Sequence, residues 1–317
     1  AAVVAELESL ARTGEPSLAE FLDAMQWQPP QLYRKRDHEW TYSGLRQAAG
    51  VLAAAELDDK IAKSLPNLLH VEDRLRSTTW RAWLREPKPP QLTGMSERDR
   101  RLATMLLAVL IGGGVGPLHD LAAGLRRIWR APCLRDEALQ LLEIIAAGAE
   151  HLDAALPGFP DLPLRLHARY TRDELLAACG ALRPGHDPKM QTGMRVLADE
   201  QIVLNLITID KESGGYSVKT QYRDYALSRT NFHSETPHTA GPDTPLGRQL
   251  IEHEARGLTV LLFVRPRKLD ERNLPAPYVF LGPTRLIDHK GDRPMQLTWE
   301  LATPIPAWFY PRACLTT

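Results

Sequence analysis

The sequence predicts an α+β protein, with an all-helical domain over residues 1–163 and a curled sheet or β-barrel with flanking helices over 164–317. Three observations lead there. Up to about residue 160 the chain is rich in Ala, Leu and Arg, with apolar residues at the three-and-four spacing that lines one helix face. The stretch Leu156 to Pro163, LPGFPDLP, then sets three prolines and a glycine where neither a helix interior nor a central strand tolerates them. Beyond it the apolar period falls to two, the period of a strand.

Each element has its own signal. Ser17 with Glu20, and Ser96 with Asp99, pair a hydroxyl with an acidic residue three positions on, which satisfies amides that a helix start leaves without partners. Leu18, Phe21, Leu22 and Met25 then fall on one face. Further helices are expected near 43–56, 98–111, 117–129 and 134–155. Thr171 with Glu174 repeats the capping pair and opens a short helix through Leu175, Leu176 and Ala178. Residues 201–209, QIVLNLITI, alternate and are β-branched, whereas 258–264, LTVLLFV, form a continuous apolar run suited to a central strand. Shorter strands are expected at 278–281 and 285–288. Met295, Leu297, Trp299 and Leu301 alternate behind the turn HKGDRP. So many strands with so few helices favour a closed or strongly curled sheet, since a short open one exposes unpaired edges.

Composition bounds the function. A chain of 317 residues is long for one core, so two domains are expected. Acidic and basic side chains number 39 each, which removes a net basic surplus as an argument for nucleic acid but leaves room for a local basic groove. Cys133, Cys179 and Cys314 are odd in number and far apart, supporting neither a disulfide framework nor a zinc knuckle and fitting a reduced, cytoplasmic setting. The longest apolar run, MLLAVLIGGGV from Met105 to Val115, is about half of what a bilayer span requires and reads as a buried helix. No membrane partner is expected. The start Ala-Ala-Val-Val has no methionine and no cleavable signal, so the chain is expected to be a piece of a longer protein.

Several chemistries lack their residues. There is no G-x-x-x-x-G-K-[ST], and Gly112-Gly113-Gly114 leads into Val115-Gly116-Pro117 without a lysine for a phosphate. G-x-S-x-G, H-E-x-x-H and H-x-K are missing too. No catalytic residue and no cofactor are therefore assigned. The enzymatic alternative is a metal-dependent nuclease on Asp199, Asp210 and Lys211, with Glu212 nearby, although the acid directly precedes the lysine instead of standing one residue away. His233, His238 and His253 lack a cysteine or paired acid at ligand spacing, so no metal is assigned. A protein-interaction scaffold without DNA binding is the third alternative.

The stretch Gly214 to Thr236, GGYSVKTQYRDYALSRTNFHSET, is unlike its surroundings. It mixes Tyr216, Tyr222, Tyr225 and Phe232 with charged, hydroxyl and amide side chains. The residues alone leave two readings open. Tyr225 and Phe232 are core aromatics, with Asp224 paired to Arg223 or capping a turn, or the stretch is a ligand pocket with flat faces and polar edges.

Seven motifs in order bear on that choice: Tyr170-Thr-Arg-Asp-Glu174, the strand Asn205 to Lys211, TQYRDYALS from Thr220 to Ser228, Phe232-His-Ser234, Leu262-Phe-Val-Arg265, APYVFLG from Ala276 to Gly282, and Trp299-Glu-Leu301. Together they resemble the C-terminal domain of unknown function found behind superfamily-two helicase motors in bacteria, some of which also carry a phospholipase-D-type nuclease and act as modification-dependent restriction enzymes. The resemblance covers about 165–317, and PSLAEFL from Pro16 to Leu22 extends a weaker match into the helical half. It implies an SRA-like, PUA-like β-barrel (SRA being SET-and-RING-associated) that flips a methylated cytosine out of double-stranded DNA, with helicase and nuclease domains of the same parent chain as further partners. The helical domain would couple motor to reader. With the resemblance favouring a pocket, the candidate base-pocket residues are Tyr216, Thr220, Tyr222, Asp224, Tyr225, Phe232, His233 and Ser234; candidate backbone contacts are Lys219, Arg223 and Arg229 with Arg265, Arg267 and Lys268, the last three on an expected basic loop with Arg272, while Arg126, Arg127 and Arg130 of the helical half fit either a DNA contact or an ordinary surface. One departure is Phe232-His233-Ser234, where such domains usually read Phe-His-Trp, which bears on the base identity or the stacking partner.

The chemistry agrees with that expectation. An extruded base needs faces to stack on, groups for its Watson–Crick edge and donors for the flanking phosphates. A carboxylate such as Asp224 is the natural acceptor for the exocyclic amine of cytosine, and Tyr222 offers a stacking face. One buried methyl is worth about 0.8 kcal/mol and a shaped pocket distinguishes a methylene by roughly tenfold to two-hundredfold, so the preference for modified DNA is expected to be modest.

Overall fold

The computed structural model describes residues 2–34, 38–53, 56–111, 120–150, 152, 154–182, 190, 192–210 and 224–314. The class is α+β, helices leading and a sheet following. The chain divides into two compact units, Ala1–Leu164 with Asp173–Asp187, and Arg165–Arg172 with Pro188–Thr317.

In the first unit the helix starts follow their caps. Ser17 and Glu20 form a reciprocal capping box before the helix Leu18–Ala24, and the Ser96 hydroxyl accepts from the Asp99 amide before Glu97–Leu110. Asp58, Asp73 and Asp120 cap three further helices in the same way. The helix expected over 43–56 is Tyr42–Ala48, stopping where Gly50 takes φ 67°, a left-handed turn that glycine adopts at no steric cost. That expected over 134–155 is Pro132–Gly148. Residues 101–110 are all buried, so Glu97–Leu110 is covered on every side as its apolar run requires.

The helix Arg74–Arg85 escapes a pattern search because its buried face contains a cation. Arg76 is fully buried, paired with Asp73 and with Glu174, and Glu174 also meets His70 Nε2 at 2.6 Å. A further buried carboxylate, Glu137, accepts from the Tyr33 hydroxyl and the amides of Tyr42 and Ser43 at 2.7–2.8 Å. Burial pushes the Glu137 carboxyl up, and those donors draw it partly back.

Among the described residues the second unit forms one sheet of eight strands: β1 (Arg169–Tyr170), β2 (Met194–Leu197), β3 (Ile202–Asp210), β4 (Tyr225–Ala226), β5 (Asn231–Glu235), β6 (Thr259–Arg267), β7 (Tyr278–Lys290) and β8 (Gln296–Leu301). The order is β2-β3-β6-β7-β8-β5-β4, with β1 beside β7. Only β3 and β6 run parallel among the described strands, from Ile202↔Thr259 to Asp210↔Arg267. The two strands expected at 278–281 and 285–288 are one, β7, whose pairing slips at Leu262/Phe263 and Leu286/Asp288. Such irregularities bend a sheet.

The closed-barrel expectation is corrected. Among the described residues β2 pairs only with β3 and β4 only with β5, so the sheet stays open. Its end strands are four and two residues long, and short end strands limit the unpaired edge that would otherwise favour closure. Alternation gathers Val203, Ile207, Phe232, Leu262, Val264, Leu297 and Trp299 into one core, in which the Trp299 indole N–H donates to Ser234 Oγ at 2.9 Å. Among the described residues no helix is long and apolar enough to cross a membrane.

Candidate ligand cavity beside the parallel strands

Where β3 and β6 approach their C-terminal ends, the sheet unit holds a cavity of about 640 Å³. Its walls come from Thr192–Met194, from Asn205–Thr208 of β3, from Arg265 and Lys268, from Tyr278, and from Asp224, Glu235 and His238 beside β5, with Arg172 also contributing. Gly193 is required by close approach. A Cβ there would sit 2.4 Å from the Leu206 carbonyl oxygen, while the Leu206 amide donates to the Gly193 carbonyl at 2.7 Å.

The cation is held in place. The pairing Thr208↔Arg265 lets Arg265 Nε donate to Thr208 Oγ1 at 2.9 Å, Nη1 donates to the Ala276 carbonyl at 3.1 Å, and the guanidinium lies 4.3 Å from the Tyr278 ring centroid. Two donors and one face are thereby used, leaving a rigid plane of positive charge at the wall. Asp224 is 5% exposed, and its Oδ1 accepts from the Glu235 amide at 2.9 Å, which ties the carboxylate to the end of β5. Asn205 is 1% exposed, and its side-chain Nδ2 has no hydrogen-bond partner among the described residues.

The residues expected from the sequence are distributed unevenly. Tyr216, Lys219, Thr220, Tyr222 and Arg223 lie outside the described residues. Asp224, Arg265 and Lys268 line the cavity. Tyr225 and His233 are cross-strand partners that stack on each other at 5.0 Å and 20°, both half-buried. Phe232 and Ser234 are placed in the core instead, because β5 alternates and these two share its buried face. Arg229 sits on the turn after β4 and donates to the Ile305 carbonyl at 2.9 Å. Arg267 is exposed, with Asp210 at 3.4 Å. Arg272 is clamped by Asp270, while in the helical unit Arg127 pairs with Asp58 and Arg126 with Asp120.

Asp199 and Asp210 cannot share a metal ion. Asp199 stands in the turn before the nine-residue strand β3 and Asp210 is its last residue, and the strand's eight steps of ~3.3 Å set its two ends roughly 26 Å apart. Lys211 and Glu212 lie outside the described residues. His253 is buried between the Leu258 carbonyl at 3.1 Å and the Leu286 amide at 3.2 Å, which occupies both ring nitrogens. Among the described residues no three His, Cys, Asp or Glu side chains group to hold a metal.

Asn205, Thr208 and Tyr278 line the cavity without having been singled out in the sequence, and His238, which also lines it, was weighed there only as a metal ligand. For Asn205 a signal existed: it is the polar residue at an inward position of an otherwise apolar alternation, between Val203 and Ile207. Residues 164–313, which include the sheet strands and the helix Arg172–Ala178, match the family described as Domain of unknown function (DUF3427). Comparison with curated proteins gives no match.

Proposed function

We propose that the sheet unit reads modified double-stranded DNA, receiving an extruded base, 5-methylcytosine foremost, in the cavity between Asp224 and Arg265. The observation that carries this reading is the cavity itself, of about 640 Å³, with a buried carboxylate and a ring-backed guanidinium on its wall. That volume is within the range of small-molecule sites. Asp224 suits the exocyclic amine of cytosine, and Arg172, Arg265 and Lys268 provide the local basic surface that a chain of zero net charge needs for phosphates.

In this reading the domain is SRA-like in function, on an open sheet. The chain is a piece of a helicase-type, modification-dependent restriction protein working in the cytoplasm, and its helical unit couples the motor to the reader. ATP hydrolysis and strand cleavage belong to other domains of that parent.

The test is fluorescence anisotropy on matched duplexes carrying cytosine, 5-methylcytosine, 5-hydroxymethylcytosine or a phosphorothioate linkage. A tenfold to hundredfold preference for one modified cytosine is expected, on the scale at which shaped pockets separate a methyl group. Equal affinity for all four duplexes would sink the reading. Arg267→Ala should weaken modified and unmodified duplexes alike and reduce the salt slope by about one unit, because this exposed arginine is suited to hold phosphate and not to read bases.

A further inference from the structure

Asn205 stands out among the described polar side chains of the sheet. It lies in the cross-strand row Met194–Asn205–Leu262, so both lateral neighbours are apolar and neither offers its amide a partner. Along its own strand the same face carries Val203 and Ile207, members of the core. The side chain is 1% exposed, lines the cavity, and leaves Nδ2 without a partner among the described residues. A buried donor left unsatisfied is costly, and a valine or leucine at this position would suit the surrounding row better.

We infer that the Asn205 carboxamide is a specificity-determining group that donates from Nδ2 to an acceptor on the edge of the base held in the cavity. This rests on the reading of the cavity as a base pocket and adds what the edge must offer. Asp224 accepts and Asn205 donates, so the ligand is a neutral planar heterocycle with an amine beside a ring nitrogen or carbonyl acceptor. Cytosine and its 5-substituted forms have that edge. Binding supplies the hydrogen bond that the protein alone withholds, so the gain falls on the ligand's edge and not on the phosphates.

The experiment uses the full 317-residue chain with Asn205→Leu, close in shape and without polar atoms, and Asn205→Val, suited to a strand. Thermal unfolding and anisotropy on duplexes with a single 5-methylcytosine or cytosine are measured together. Both variants should melt at or above the parent temperature, bind unmodified duplex with the parent salt slope, and bind the 5-methylcytosine duplex at least about tenfold more weakly. Parent-like affinity for the methylated duplex in variants that stay folded overturns the inference. So does a fall in melting temperature in both variants, which would make the amide a structural group. A parent with no preference for the methylated duplex overturns the base-pocket reading and this inference together, whereas a parent preference that both variants keep overturns the role of Asn205 alone.

Discussion

Arg76→Ala is expected to cost the helical unit about 3–5 kcal/mol, the scale for removing one partner from a buried ion pair. Arg76, Asp73 and Glu174 are each fully buried, so the alanine variant leaves two carboxylates in the interior with His70 as the nearest remaining base of the network. Replacing the charges together by apolar residues of similar volume, as in Asp73→Leu/Arg76→Met/Glu174→Leu, should cost far less, because no uncompensated charge remains. Urea unfolding followed by circular dichroism measures both. An unchanged midpoint for Arg76→Ala would show that the network is not buried as described. The same contacts bear on any dissection of the chain. Residues 173–187 group with the helical unit, so a cut at 163/164, where the sequence places the boundary, parts Glu174 from Arg76 and His70. A cut there removes more than a linker.

Phe232→Ala should lose a comparable amount of stability from the sheet unit, about 3–5 kcal/mol for deleting a large core aromatic. The ring is fully buried, its strand neighbour in register is Trp299, and it belongs to the cluster with Leu297 and Leu301. The variant protein that remains folded should keep the parent's ratio of affinities for modified and unmodified duplex. Loss of that ratio without loss of stability would return Phe232 to the pocket.

Where the sequence was legible, the reason was local. Ser17 and Ser96 announce helices because a cap acts within four residues, and β3 and β6 announce themselves by apolar, β-branched runs. What stayed hidden depends on partners distant in sequence. Nothing in QIVLNLITI or LTVLLFV says that these two runs pair in parallel, 57 residues apart at Thr208↔Arg265, or that the shared end opens a cavity. Arg76 disguised a helix because a buried cation looks like a surface one until Glu174 is beside it. In Phe232-His233-Ser234 the residue types fit a pocket, yet period-two geometry separates them, sending the phenylalanine and serine inward and leaving histidine against Tyr225. Asp224, Arg265 and Lys268 line the cavity, and a carboxylate and basic side chains at strand ends have few core roles to fill. Asn205 passed unnoticed because one polar residue in an apolar strand is ordinary until its missing partner is seen.

In the proposed function the cavity takes a base out of the duplex. Its most direct test places 2-aminopurine next to a single 5-methylcytosine and follows fluorescence as the full chain is titrated, because the probe is quenched by stacking and brightens when its neighbour leaves the helix. A rise that saturates with binding is expected for the methylated duplex, and a much smaller one for the cytosine duplex at equal occupancy. Flat fluorescence at saturating protein, with binding verified by anisotropy in the same samples, would contradict it.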